Sequence, residues 1–409
     1  MNKKKILLLI LVLVYLGLAI AYALTIPAWQ PYDETGHFYY INYLTENNNL
    51  PVMPEEPGML YEAHQPPVYY FIASLMQRFT IGSDYVSQVL YLRYLSIFIG
   101  LFTVIIAYKC AMIIFKNDSI LSFIATSIII FNSTFLAVNS TVCNDGLMIL
   151  LCSLAIYLFI RELKCKTVSY RNVLLIGVLL GISLLVKLTS IIVLASIILG
   201  LFYCNIIKEN KYKKFIINVT CLALPVLLMS SWWYIRNVNL YGAIVGYQSM
   251  VKDPGNSLLS LNGFSIFWKV VFCTFWYPYQ YLRNDPMAKP QPFIYLIWSI
   301  LSVMGIYAVI KELINSIKNK VSLSCIISFI IFCIILILLA QTYTMWREGR
   351  HMLNVFIPIA IVIAMGIKNL RVNKILSAYV IFVVLLLINI YIISNNLALI
   401  EYKTFLNPF

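Results

Sequence analysis

Charged residues are scarce in this sequence. Only 11% of the 409 residues are Asp, Glu, Lys or Arg, and 61% are hydrophobic, whereas an average soluble domain carries about 25% charged residues. A water-soluble globule could not bury so much apolar surface, so the composition excludes a cytosolic or secreted protein. Apolar runs of about 20 residues, the length that crosses a bilayer, recur along the chain. Because these runs are continuous and do not alternate, they disfavour a transmembrane barrel.

Acidic residues and histidines are also few, and the cysteines do not form motifs. The chain has 16 acidic residues and three histidines, and its nine cysteines form no Cys-x-x-Cys pair. Most of the cysteines lie inside apolar runs. We therefore interpret them as small packing residues and not as a disulfide framework or a zinc site.

The apolar runs predict an all-α, polytopic membrane protein that forms a single domain over residues 1–409. We predict eleven membrane helices, several of them short for a hydrocarbon core of about 30 Å. The run 68–79 is too short to span and is predicted to be interfacial or re-entrant. The predicted spans are 6–26, 94–115, 119–138, 145–160, 172–187, 189–205, 215–234, 293–311, 321–343, 353–367 and 375–396.

The basic residues indicate the orientation in the membrane. The net charge of +14 could suggest nucleic acid, but cytoplasmic loops of membrane proteins are enriched in Lys and Arg. Placing the N-terminus inside puts most of the positive charge in short cytoplasmic loops, so topology accounts for the net charge and nucleic acid is not expected as a partner. Two long segments, 27–93 and 235–292, then lie outside. The first helix also resembles a signal peptide, but its apolar run is longer than usual, which favours a retained anchor.

Two adjacent carboxylates, Asp33 and Glu34, directly follow the first predicted membrane helix. If 33–40 is helical, Asp33 and His37 share one face at i, i+4. A carboxylate at the edge of the hydrocarbon is partly desolvated, which suits a general base or a metal ligand. The alternative is that Asp33 merely caps a short interfacial helix.

Two further polar groups map to the same outer side. Glu62 and His64 precede a Pro-Pro-Val-Tyr-Tyr stretch, whose prolines force an extended backbone before a helix begins. Asp145 follows Asn144 on a short outer turn, so its carboxylate faces the same compartment as Asp33. The alternatives are an interfacial anchor around His64 and a helix cap at Asp145.

Basic side chains near the same face form a fourth set: Lys187, Arg236, Arg347, Arg350 and, beside the last, His351. A lone Lys in the middle of a membrane costs about 2.5–3.5 kcal/mol on insertion scales, and a place at the outer tip of a helical hairpin relieves that cost. Guanidinium groups at this depth suit bidentate phosphate binding. The alternative for each side chain is snorkelling to the lipid headgroups.

The order of these motifs resembles the GT-C superfamily of polytopic glycosyltransferases, particularly bacterial relatives of protein mannosyltransferases and of the aminoarabinose transferase of lipid A. The resemblance covers about residues 1–370 and departs from the family in having few late helices and no large C-terminal soluble domain. It rests on Asp33-Glu34 with His37-Phe38, on His64-Gln65-Pro66-Pro67, on the Gly-rich helix ending in Lys187-Leu188-Thr189, and on Trp233-Tyr234-Ile235-Arg236-Asn237.

The resemblance implies a helical core with a cavity at the outer face and a sugar donor linked to polyprenyl phosphate. It implies that Asp33 is catalytic, and we place Glu34 beside it in that role. We expect inversion at the sugar carbon, an acceptor of unknown class (glycan, lipid or protein), and contact with membrane lipids at the cell membrane. The substrate and its phosphate are expected to contact Lys187, Arg236, Arg347, Arg350, His351 and His64.

A divalent metal remains open, with Asp33, His37 and Asp145 as the candidate ligands. Their oxygen atoms would favour Mg²⁺ or Mn²⁺, and histidine would admit Zn²⁺. The rival interpretation of the whole chain is a transporter or flippase of lipid-linked or small polar substrates, which would also carry rare intramembrane charges. Transporters often show inverted halves and midplane sites. The sequence shows no such symmetry, and its polar residues crowd towards one face, which favours an interfacial enzyme.

Overall fold

The computed structural model describes residues 2–29, 32–54, 58–164, 168–246, 267–278, 291–318, 330–331, 333–334, 348–370 and 372–397. Within these ranges all regular secondary structure is helical, as predicted. The α-helices are α1 (Lys3–Thr25), α2 (Glu34–Asn47), α3 (Val68–Gln77), α4 (Tyr85–Ile114), α5 (Ser119–Ile130), α6 (Ser133–Val138), α7 (Asp145–Lys164), α8 (Tyr170–Leu184), α9 (Ile191–Phe202), α10 (Tyr212–Tyr241), α11 (Cys273–Trp276), α12 (Pro292–Lys318), α13 (Phe356–Asn369) and α14 (Lys374–Ile392).

The helices are those of a multi-pass membrane protein. Eight helical segments of the described chain are long and apolar enough to cross a bilayer, and α5 and α8 are shorter apolar helices. Together they correspond to ten of the predicted spans. The remaining one, 321–343, lies almost wholly outside the described residues, so the predicted number of eleven is not confirmed.

The start of α4 differs most from the predicted boundary, because the helix begins at Tyr85 and not at residue 94. Asp84 caps this end, where its Oδ1 accepts a hydrogen bond of 3.0 Å from the Ser87 N–H, as expected of an N-cap aspartate. The earlier start extends the helix by more than two turns and places Arg93 inside it. There the Arg93 side chain is buried.

The segment predicted to be interfacial forms α3 and a following turn of 3-10 helix, Arg78–Thr80. Ten residues of α-helix reach only about 15 Å, so α3 is too short to span, as predicted. Its inner face buries Tyr69 and Tyr70, while Phe71 is exposed and Phe79, in the 3-10 turn, is 80% exposed. These aromatic side chains on the outside of the fold suit the membrane interface.

Polar contacts between distant helices tie the core together. The Tyr22 hydroxyl donates to Asn389 Oδ1 at 3.0 Å, and the Asn389 amide donates to the carbonyl of Phe131 at 2.8 Å. These bonds join α1, α14 and the end of α5 at one depth.

None of the seven cysteines that the structure describes is part of a disulfide, and most of them are buried.

Four connections meet at one end of the helical core: the link from α1 to α2, the start of α7, the turn between α8 and α9, and the 3-10 helix Gly349–Val355 that leads into α13. Asp33, Asp145, Lys187 and Arg350, four of the charged residues predicted to form a site, lie on these connections.

Candidate active site

A chain of four charged side chains connects these elements. Arg350 Nη2 lies 3.1 Å from Asp33 Oδ2, Arg350 Nη1 lies 3.7 Å from Asp145 Oδ2, and Lys187 Nζ lies 2.6 Å from Asp145 Oδ1. The four residues come from four distant parts of the sequence. Their alternation of sign explains how the fold holds these charges in a largely buried place.

Asp33 is the exposed end of this chain of ion pairs. It occupies the N-cap position of α2, but its carboxylate forms no capping hydrogen bond, so the alternative that it merely caps the helix is wrong. Its backbone is left-handed, with φ at 61°, and Tyr32 just before it has φ at 48°. Such a conformation costs a non-glycine residue roughly 1–2 kcal/mol. This unusual backbone turns the side chain towards Arg350 and leaves it 40% exposed.

Lys187 and Asp145 form the buried end. Lys187 lies in extended backbone between α8 and the 3-10 turn Leu188–Ser190, and Asp145 is the first residue of α7. The Asp145 side chain is fully buried, and its Oδ2 has no hydrogen-bond partner in the described chain. Lys187 therefore lies at a helix junction, as predicted, and neutralises an acid instead of reaching the headgroups.

Arg350 is fixed by close packing beneath it. A Cβ atom at Gly349 would lie 2.1 Å from the Phe275 nitrogen, so only glycine lets this 3-10 helix approach α11. The Gly349 N–H donates to Thr274 Oγ1 at 2.7 Å. The guanidinium group of Arg350 also lies over the Tyr32 ring, 5.1 Å from its centre, and contacts the Glu348 carboxylate. The side chain is thus held between Asp33 and Asp145.

Glu34 lies next to Asp33 in sequence but in a different environment. It is fully buried, and Arg93 contacts both of its carboxylate oxygens, at 2.9 and 2.6 Å. The N–H groups of Trp29 and Val142 donate to the same carboxylate at 2.9 and 2.8 Å. Its acceptor capacity is used inside the fold, so we revise the predicted role of Glu34 from catalytic to positioning.

His37 and Glu62 are both buried near Asp33. The helix α2 closely approaches the 3-10 turn at Tyr61, since a Cβ atom at Gly36 would lie 2.5 Å from the Tyr61 ring. His37 Nδ1 lies 2.8 Å from the Tyr70 hydroxyl oxygen, and burial lowers the pKa of His37. Its ring is therefore kept neutral more readily than a histidine in water.

Glu62 was not assigned a role from the sequence. Only 8% of the residue is exposed, and its Oε2 has no hydrogen-bond partner among the residues that the structure describes. Burial raises the pKa of Glu62, and the charge of Asp33 raises it further, against a lowering effect of His37. The sequence signal was its place two residues before His64, directly ahead of the Pro-Pro stretch.

His64 and Arg236 lie beside the chain of ion pairs and not within it. His64 Nδ1 is 2.9 Å from the Tyr61 carbonyl oxygen, and burial lowers the pKa of His64. Arg236 donates to the carbonyl of Pro51 at 2.7 Å and lies over the Trp233 ring at 4.5 Å. The structure therefore places both residues where the end of α10 contacts the segment between α2 and α3.

The last two predicted residues precede α13. His351 follows Arg350 in the 3-10 helix, and its Nδ1 has no hydrogen-bond partner within the described ranges. Arg347 lies outside the described residues. Of the predicted substrate-binding residues, the structure thus brings Lys187, Arg350 and His351 together at one place.

The three predicted metal ligands do not assemble. Asp33 and Asp145 lie on either side of Arg350 and pair with it, and His37 bonds to Tyr70. In the described part of the chain no group of three or more His, Cys, Asp and Glu side chains could hold a metal ion. The prediction of an Asp33–His37–Asp145 metal site is corrected on this geometry, because Arg350 and Lys187 already supply positive charge to both aspartates.

This arrangement provides the parts that a group transfer from a phosphate requires. A partly exposed carboxylate can accept a proton, and two cations behind it can stabilise negative charge that develops on a leaving phosphate.

The sequence and the fold are similar to known membrane glycosyltransferases. The family model described as dolichyl-phosphate-mannose-protein mannosyltransferase matches residues 64–235. This stretch begins at His64 and includes Asp145 and Lys187, but it leaves out Asp33 and Arg350. No curated protein matches the sequence.

Several solved structures share the fold, among them the following three. The Archaeoglobus fulgidus oligosaccharyltransferase in complex with Zn and sulfate has a TM-score of 0.58 and 13% identity, over 96% of this chain and 53% of its own. ArnT from Cupriavidus metallidurans bound to undecaprenyl phosphate has a TM-score of 0.55 and 11% identity, and the match covers 91% of this chain and 62% of ArnT. AglB from Archaeoglobus fulgidus, with an inhibitory peptide and a dolichol-phosphate, has a TM-score of 0.57 and 11% identity, and the match covers 97% of this chain and 56% of AglB.

The chain spans between half and two thirds of the length of these structures. At such low identities the likeness shows the fold alone. The resemblance inferred from the order of the motifs, to the GT-C superfamily, is confirmed at this level.

Proposed function

We propose that this chain, which has the fold of the GT-C membrane glycosyltransferases, moves a sugar from a polyprenyl-phosphate donor to an acceptor at the outer face of the cell membrane. The observation that carries the proposal is the chain of ion pairs Asp33–Arg350–Asp145–Lys187. The structures of ArnT with undecaprenyl phosphate and of AglB with dolichol-phosphate support a lipid-linked donor. The positive-inside pattern of the loops supports the outer location.

The donor combines a hydrophobic chain with a charged phosphate and a polar sugar. Its chain stays in lipid while the phosphate contacts Arg350, whose planar group can form two parallel hydrogen bonds to phosphate oxygens. Lys187 adds a second positive charge. A phosphate bound here competes with Asp33 for Arg350, so donor binding releases the Asp33 carboxylate to act as a base.

The reaction follows from these positions. Asp33 accepts the proton of the acceptor hydroxyl or amine as that group attacks C1 of the sugar. The new bond forms on the face opposite the phosphate, the C1–O bond to the phosphate breaks, and its electron pair leaves with the polyprenyl phosphate. The configuration at C1 is therefore inverted. Arg350 and Lys187 stabilise the departing phosphate, and the buried Glu34–Arg93 pair holds the backbone that presents Asp33.

A divalent cation has no step in this mechanism. One solved relative in fold was crystallised with Zn, but Asp33 and Asp145 here each contact a guanidinium group. Bringing a metal ion to these carboxylates would place it against Arg350, and the two positive charges would repel each other.

The experiment that tests the proposal is transfer from radiolabelled polyprenyl-phosphate sugars by purified protein. We expect Asp33→Asn to lower turnover by about 10²–10⁴-fold, the usual contribution of a general base, while the protein still folds. The matched control is Asp118→Asn, which alters an aspartate paired with Lys374 outside the site. Turnover of Asp33→Asn near the wild-type value would contradict the assignment.

A liposome assay separates transfer from transport. The protein is reconstituted with the labelled lipid-linked sugar inside the vesicles, and both a new covalent product and movement of the label are measured. A new glycoside that depends on Asp33 supports the transferase. Movement of the label without any new covalent product would favour the flippase alternative.

A further inference from the structure

A cleft of about 380 Å³, with both polar and apolar lining residues, lies at the far end of α2, away from the chain of ion pairs. It is lined by α2, by the end of α3 and by the start of α4. Its lining includes Asn42, Thr45, Glu46, Gln77, Ser83 and Gln88. The mechanism proposed above uses none of these residues.

A network of hydrogen bonds preorganises the floor of the cleft. Gln77 is 1% exposed, accepts from the Thr45 hydroxyl at 2.8 Å, and donates to the side-chain oxygens of Asn42 and Gln88 at 3.2 and 2.8 Å. Gln88 donates in turn to the Ser83 carbonyl at 3.0 Å. Because both protons of the Gln77 amide are committed, the neighbouring amide groups have fixed orientations.

The fixed groups match the chemistry of a neutral saccharide. Each side-chain amide offers two protons and an oxygen with two lone pairs. Asn42 donates one proton to Glu46 Oε1 at 2.9 Å and Gln88 donates one to the Ser83 carbonyl, so each amide keeps a second proton for a ligand. Glu46 is exposed at the rim and offers further acceptors. The lining contains no Lys or Arg, so the cleft is not built for phosphate. Hydroxyl groups, which both donate and accept, suit such a surface.

The position of the cleft connects it with the Asp33 site. The distance along α2 from residue 33 to residue 45 is about 18 Å, at about 1.5 Å per residue. Asn42 and Glu46 share a helix face with Tyr39 and Thr35, which lie one and two turns closer to Asp33. Tyr39 is partly exposed and offers an aromatic surface between the two places. A saccharide of several units can therefore lie along this face of α2.

The surroundings of the cleft also suit a lipid-anchored ligand. Phe79, at the turn beside the cleft, is 80% exposed, and Ile81, which lines the cleft, is 70% exposed. An exposed aromatic side chain at this place suits the membrane interface, where a lipid anchor can remain in the bilayer.

We propose that this cleft is a binding subsite for the neutral, polyhydroxylated saccharide part of the acceptor. The inference rests on the proposed transferase function, because it names the class of acceptor for that site. The acceptor's reactive end then reaches Asp33 while its distal sugars bind Asn42, Gln88 and Glu46. The saccharide can belong to a free glycan or to a glycolipid, and the experiment distinguishes these two sources.

The test measures saccharide binding without any donor. The full-length protein in phospholipid nanodiscs is titrated with maltose, mannobiose and N,N′-diacetylchitobiose, each as the free sugar and as its octyl glycoside. Ser83→Trp places a large side chain in the cleft from an exposed turn. We expect this variant to weaken binding of the preferred probe by about tenfold or more, which corresponds to about 1.4 kcal/mol. Undecaprenyl phosphate should bind the variant as it binds wild type.

The matched control is Ser87→Trp, an exposed position in the first turn of α4 that does not line the cleft. It should leave binding of every probe unchanged. Tighter binding of the octyl glycosides than of the free sugars identifies a glycolipid acceptor, and equal binding identifies a free glycan. Failure of all probes to bind wild type, or equal binding by wild type and Ser83→Trp, would overturn the proposal.

The two proposals can fail separately. If the saccharide binds at the cleft but undecaprenyl phosphate does not bind at all, the subsite stands and the transferase function fails. If transfer depends on Asp33 while Ser83→Trp has no effect on saccharide binding, the transferase stands and the subsite is wrong.

Discussion

Asp33 and Glu34 are neighbours in sequence with opposite surroundings. The Asp33 carboxylate is 40% exposed and shares Arg350 with a second aspartate. The Glu34 carboxylate is fully buried and receives hydrogen bonds from Arg93 and from two backbone N–H groups. One acid can exchange its partner for a substrate and the other cannot. The left-handed backbone at Asp33 produces this difference, because it turns two consecutive side chains in different directions.

After Asp33→Asn, the largest change in turnover is expected at Arg350, the cation that pairs with the partly exposed Asp33 carboxylate. Arg350→Leu should lower turnover by about 10²–10³-fold, as for loss of one group that stabilises transition-state charge. Arg350→Lys keeps the charge but loses the planar guanidinium group that forms two parallel hydrogen bonds. Its turnover should therefore lie between that of Arg350→Leu and that of wild type. Steady-state transfer from a polyprenyl-phosphate sugar measures both. An active Arg350→Leu would remove Arg350 from the proposed phosphate site.

The buried Glu34–Arg93 pair should affect stability more strongly than turnover. Arg93→Ala leaves the Glu34 charge buried without its main partner, which costs about 3–5 kcal/mol. Thermal unfolding in detergent should show this loss, while turnover per folded molecule falls much less than in Asp33→Asn, because the pair only helps to hold the backbone that presents Asp33. A stable Arg93→Ala protein with strongly reduced turnover would instead place Glu34 in the reaction.

A smaller effect is expected from Glu62, whose pKa is raised by burial. In the folded state Glu62 holds its proton to a higher pH than in the unfolded state, so unfolding releases a proton and stability falls as pH rises through this window. Glu62→Gln removes the titrating group, so the stability of this variant should decrease less as the pH rises. The free energy of unfolding of wild type and of Glu62→Gln is measured at about pH 5 and about pH 8. An equal decrease in both proteins would contradict the expectation.

The smallest effect is expected from removal of metal. Since Arg350 and Lys187 supply the positive charge at Asp33 and Asp145, a chelator should leave turnover unchanged. Transfer is measured after dialysis against EDTA and again after Mg²⁺, Mn²⁺ or Zn²⁺ is added back. Loss of turnover with recovery on one of these ions would restore a metal role for the aspartates.

Much of the fold was predictable because long, continuous apolar runs in a sequence indicate membrane helices. Ten predicted spans have a helical counterpart, and the connections at one end of the helical core bring Asp33, Asp145, Lys187 and Arg350 together, as their common sidedness predicted. The length of 68–79 also predicted correctly that its helix is too short to span a membrane.

The different surroundings of Asp33, which is partly exposed, and of Glu34, which is buried, were not predictable. It depends on a left-handed backbone, which a sequence without glycine at that position does not indicate. The burial of Arg93 was not predicted either, because a helix that starts at residue 94 leaves Arg93 in a loop. Inside an apolar helix, a lone arginine requires a buried partner, and Glu34 would then have been a candidate for it.

The most direct measurement is an experimental structure of the protein with a polyprenyl-phosphate sugar analogue bound. We predict phosphate oxygens within hydrogen-bonding distance of Arg350 and Lys187, with the Asp33 carboxylate released from Arg350 and facing the side of C1 opposite the phosphate. A phosphate bound elsewhere, with Asp33 still paired to Arg350 and remote from the sugar, would contradict the assignment of this site.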